Sequence, residues 1–179
     1  MSRVIFDNQP AAPQLNPGRA DIACFVGLVR VLDGATVPAG QVSWLKSLGY
    51  KDAQIAPPTT DKQQLRQQLF LNIPILLENY LAFTSMFDDG SAGNAFGTDY
   101  VAAAIRSFFA QGGARCYVVR VGDPVTPADT PQQKAAKLMA LLPNTAYAPD
   151  TAQSWTGVSS LGALEDVSFL ATPDLPILP

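Results

Sequence analysis

The sequence predicts an α/β domain, with a mainly parallel or mixed sheet, flanking helices and an extended N-terminal arm. Three observations predict it. Short apolar runs at 22–29, 73–77, 115–121 and 166–171 lack period-two alternation, which marks strands buried on both faces. Helical stretches at 99–111 and 131–142 lie among them, and that alternation favours helices on both faces of one sheet. Gly112-Gly113 then stands between a helix and a β-branched run, where a left-handed helix cap is wanted.

Residues 1–20 are rich in Pro, Asn and Gln and read as the arm. Pro10, Pro13 and Pro17 keep it extended and free of helix. The domain is expected to occupy 21–179. Its first strand, Ile22–Val29, is closed by the turn signal Asp33-Gly34. Residues 31–61 read as a long irregular excursion with one helical turn at Ser43–Leu48, ended by Gly49. A polar helical piece follows at Lys62–Phe70. Ile73–Leu77 is the second strand, and Asn79 is a suitable N-cap for a helix through Phe87.

Asp88–Asn94 reads as a loop. Thr98 is placed to cap the helix 99–111, with Asp99 at the positive end of its dipole. Val101, Ala104, Ile105, Phe108 and Phe109 form one stripe of that helix. Strand 115–121 and a loop follow, and Thr130-Pro131 opens the helix 131–142. Residues 143–156 read as loop, and a short helix at Val158–Leu164 precedes the last strand.

The chain has 179 residues, enough for one domain with a real core. Apolar residues make up 47% and charged residues 15%, so surface covered by neighbouring subunits is expected. Net charge is −3 and the Lys and Arg residues are scattered, which argues against nucleic-acid binding. Histidine is absent, which removes Ser–His–Asp triads, Cys–His pairs and most zinc sites. Cys24 and Cys116 each lie in an apolar strand run and read as small buried side chains. Two lone cysteines suit a reducing compartment. Met1-Ser2-Arg3 opens no signal-peptide core, and the longest apolar run falls far short of a bilayer span. The expected location is cytoplasmic at synthesis, without direct membrane insertion.

Gly112-Gly113 has the wrong order for a phosphate loop, which needs strand before helix. Asp88-Asp89-Gly90-Ser91 suits a surface turn better than a cation loop, because no Glu follows in register. Glu165 and Asp166 are adjacent and would point to opposite faces of a strand; with Asp174 they read as solvated charges. Trp44 and Trp155, in irregular segments, are either interface anchors or packed beneath their own loops. Arg120 lies near the carboxyl end of its strand, where open α/β sheets place binding sites. A charge there needs a partner. Two readings stand: a salt bridge within the chain, or an inter-subunit contact.

Three segments carry a family resemblance. Residues 104–121, with Phe108-Phe109, Gly112-Gly113 and Cys116-Tyr117-Val118-Val119-Arg120-Val121, resemble the "FF-x-x-GG-x-x-CYVVRV" segment of contractile tail sheath proteins. Residues 16–27 (Asn-Pro-Gly-Arg-Ala-Asp-Ile-Ala-Cys-Phe-Val-Gly) look like that family's opening strand. Residues 164–175, beginning Leu-Glu-Asp-Val-Ser, look like its "L-E-D-V-S" strand with the following Pro173-Asp174. The three fall in the family's order and cover about a quarter of the chain.

The resemblance implies a structural, non-enzymatic subunit of a phage-tail-like contractile injection system, a virion-like component of a helical assembly. Such subunits self-assemble into stacked rings around an inner tube protein, contact baseplate proteins, and become part of a particle that is released or anchored at a membrane. No cofactor is implied. Val4, Ile5 and Phe6, the arm's apolar run, are then expected to dock on a neighbour by adding to its sheet. The chain departs from the family in length. Sheath proteins carry a further C-terminal domain, so this domain is expected to be incomplete at its C-terminus, and the "PGVY-x-x-E" motif is absent. Two rival readings remain: a cap or baseplate adaptor on the sheath fold, and a small α/β nucleotide-binding enzyme.

Overall fold

The structure, a computed structural model, describes residues 22–88 and 99–177. Four strands form one sheet in the order β2-β3-β1-β4. They are β1 (Ala23–Leu28), β2 (Pro74–Leu77), β3 (Cys116–Gly122) and β4 (Phe169–Ala171). β1 runs parallel to both β3 and β4, while β2 joins β3 antiparallel. The sheet is therefore mixed, and the expected strands share it. Its centre, β1 and β3, is buried almost throughout, as continuous apolar runs require.

Among the described residues six α-helices accompany the sheet: α1 (Ala39–Ser47), α2 (Asp52–Ile55), α3 (Lys62–Gln68), α4 (Tyr80–Thr84), α5 (Tyr100–Ala110) and α6 (Pro131–Leu141). Successive β1 side chains point to opposite faces. Phe25 meets Phe108 of α5 edge-on, with ring centroids 5.8 Å apart. Tyr117, in register with Cys24, is stacked by Trp44 of α1 at 5.9 Å. Helices thus cover both faces.

The cap chemistry is local. Thr130 Oγ1 accepts from Gln133 N while Thr130 N donates to Gln133 Oε1, a reciprocal capping box with Pro131 at the first helical position. Asn79 caps α4 by accepting from Ala82 N at 2.8 Å. At the end of α5, Gly112 adopts φ +90°, and Gly113 N donates to Phe108 O at 3.0 Å. A Cβ at Gly113 would strike the Phe108 ring, so one glycine supplies the conformation and the other the space.

Three expectations need correcting. Residues 31–61 hold two helices, α1 and α2, rather than one turn in an irregular excursion. β4 begins at Phe169 rather than 166, because Asp166 turns away to meet Arg115 at 3.6 Å and the Tyr117 hydroxyl at 3.3 Å. The short helix before β4 is 3-10 in form, over Gly157–Ala163. No helix among the described residues is long and apolar enough to cross a membrane.

Candidate functional site

Two ends of the parallel strands carry the chemistry of this domain. At the carboxyl end of β3, Arg120 is only 1% exposed. Its Nε donates to Val29 O at 2.8 Å, and its Nη1 donates to Gln67 O and Leu69 O, each at 3.1 Å. Its Nη2 donates to Asp123 Oδ1 at 2.9 Å. One planar fork therefore ties the end of β1, the exit of α3 and the loop after β3. Burial lowers the guanidinium's pKa, and Asp123 offsets part of that effect.

The backbone around this fork is shaped to it. Phe70 and Asn72 adopt left-handed φ values of 59° and 56°, uncommon for such residues. Asn72 N donates to Arg120 O at 2.7 Å, and Asn72 Oδ1 accepts from Gly157 N at 3.0 Å. Of the two readings of Arg120, the structure holds the salt bridge within the chain. Its guanidinium is buried and bonded to its own domain.

Asp174, expected as a solvated charge, is 1% exposed, and the sequence pattern does not reveal its role. Its Oδ2 accepts from Leu28 N at 2.6 Å. It reaches that amide over Gly27, where a Cβ would clash with both Asp174 and Val101. Burial raises the Asp174 pKa to about 6; the Leu28 hydrogen bond opposes this, and the nearby Asp99 charge adds to it. A glycine in the middle of a buried central strand is the sequence signal that could have found the close approach.

The opposite end of the strands carries a groove whose lining mixes aromatic rings with the polar Ser107 and Gln111. Phe25, Ala104, Phe108, Gly113 and Phe169 line a shallow groove of about 440 Å³, with no charged side chain in its lining. Phe108 leans on Phe25, Phe109 and Phe169. The groove opens beside β4, the sheet edge. There Phe169 is 42% exposed and Leu170 41%, although they point to opposite faces.

The remaining candidates settle more plainly. Burial pushes the Cys24 thiol up to about 12, helped by Cys116, and burial alone does the same for Cys116. Such thiols are poor nucleophiles. Trp155 packs under its own loop, donating to Ala148 O at 3.0 Å and meeting Tyr50 edge-on. Arg30 meets Asp88 at 3.6 Å. Among the described residues no group of three or more His, Cys, Asp or Glu gathers to hold a metal. Val4, Ile5 and Phe6, the arm at 1–20, the cap residue Thr98 and most of the Asp88–Asn94 loop lie outside the described residues.

Compared with known proteins, the chain matches no family model, no curated protein and no solved structure.

Proposed function

We propose that the chain is a structural subunit that assembles with copies of itself, in the manner of a contractile sheath around an inner tube. The observation that carries this reading is the edge strand β4, which exposes Phe169 and Leu170 on opposite faces and has no further strand beside it among the described residues, next to an uncharged groove. A bare apolar strand edge is a template for pairing with another chain. Its two exposed side chains would gain roughly 25 cal/mol for each Å² they bury on association.

The resemblance adds support from position. Its three segments contribute β1, the α5–β3 unit and β4, which lie side by side as adjacent parallel strands. The segments that carry the resemblance thus form one continuous block. In this reading the partners are further subunits in stacked rings, the inner tube protein and baseplate proteins. The arm, with Val4, Ile5 and Phe6, is the connection between subunits. No chemical step is assigned: the buried thiols and the internally bonded Arg120 are structural.

Negative-stain microscopy of the native assembly tests it. Long striated cylinders are expected. A single ring at one end of a tube would replace the sheath with a cap or adaptor. Isolated particles at all concentrations would overturn assembly and return the enzyme reading to favour.

A further inference from the structure

We propose that Asp174 is a proton-operated latch, whose neutral carboxyl closes the segment 172–177 over the carboxyl end of β1 and whose ionisation releases it.

Geometry makes the two carboxyl oxygens unequal. Oδ2 is bonded to the Leu28 amide. Oδ1 is buried and has no hydrogen-bond partner among the described residues. A buried ionised carboxylate needs its oxygens bonded or paired, and half of this one is bare. Protonation of Oδ1 removes the charge while Oδ2 still accepts from Leu28.

Among the described residues no cation acts on the group to replace the proton. β1 presents Gly27 and Leu28 to it, and α5 presents Val101. The charged group that acts on it is Asp99, at the N-cap of α5, and its charge has the same sign. Ionisation therefore places a second negative charge in a low-dielectric site.

Among the described residues, the segment it fastens has few other hydrogen bonds. Leu175 N donates to Thr172 O at 3.2 Å, a bond internal to the segment. The bond from Leu28 N to Asp174 joins it to the sheet. β4 ends at Ala171, immediately before this segment. A change at Asp174 thus reaches the end of the edge strand that the assembly reading uses, though the latch stands without that reading.

The sign follows from linkage. The carboxyl's pKa is about 6 in the closed form against an ordinary 3.8. Closure is fully supported below the ordinary value, and that support is lost as pH rises through about 6. Each pH unit between the two values raises the opening equilibrium about tenfold, and the rise levels off above 6.

Amide hydrogen exchange at Leu28 and Leu175, corrected for the intrinsic pH dependence of exchange, tests this. From pH 5 to pH 7.5 the opening equilibrium should rise roughly tenfold. Asp174→Asn keeps an oxygen acceptor for Leu28 and has no charge to gain. It should hold the protected level at both pH values. Protection that does not change with pH in the unmodified protein would overturn the latch, whether or not the variant folds. The same tenfold loss in Asp174→Asn would also overturn it, by moving the titration to another group.

Discussion

β1 and β4 are neighbours in one sheet, run parallel, and are built from the same kind of residue, yet they live in different surroundings. All six residues of β1 are buried, between β3 on one side and β4 on the other. Among the described residues β4 has one partner, and Phe169 and Leu170 remain exposed. Composition makes both strands; position in the sheet order decides which is core and which is surface. An apolar strand left at an edge is costly to expose in a single chain and useful in an assembly. Natural edge strands are commonly blunted by charge or proline, and neither occurs within Phe169–Ala171.

Four variants sharpen that contrast, ordered by expected loss of fold stability. Arg120→Leu at the end of β3 should be the most damaging, at about 3–5 kcal/mol. It strips the donors from three backbone carbonyls, two of them in buried bonds, and abandons Asp123. Chemical denaturation measures it; a loss below about 1 kcal/mol would mean that water takes over the fork.

Ile105→Ala, at a fully buried position of α5, should cost about 2–5 kcal/mol by leaving a cavity. Phe108→Ala should cost less, about 1–3 kcal/mol, because its ring is only partly buried and one side faces the groove. An equal loss from the two would show that the groove is closed in solution. Phe169→Ser should cost least, about 0.5–1.5 kcal/mol, because its ring is 42% exposed and only leans on Phe108. A larger loss would place β4 in the core after all.

Much of this fold was legible in the sequence. The apolar runs at 22–29 and 115–121 place β1 and β3 within a residue or two, because both strands are buried on both faces. Thr130-Pro131 and Gly112-Gly113 locate the start of α6 and the end of α5 through cap chemistry that acts over three or four residues. α1 and α2 were harder to see. α1 buries only Leu45 and α2 only Ile55, so neither writes a full apolar stripe.

The site was less legible, for a different reason. The partners of Arg120 include backbone carbonyls at Val29, Gln67 and Leu69, and any residue type can supply a carbonyl. Asp174 accepts from a backbone amide 146 positions away in sequence, and no local pattern encodes that distance. Side-chain runs announce strands; contacts to distant main chain do not announce themselves.

In the proposed assembly, β4 is a surface for another copy of the chain. Sedimentation velocity of the unmodified protein and of Phe169→Asp/Leu170→Lys, with circular dichroism as the control for folding, tests it most directly. The unmodified protein should sediment as large assemblies, while the double variant keeps its spectrum and sediments as a monomer of about 19.0 kDa. A double variant that assembles as well as the unmodified chain, or an unmodified chain that stays monomeric at every concentration, would contradict the account.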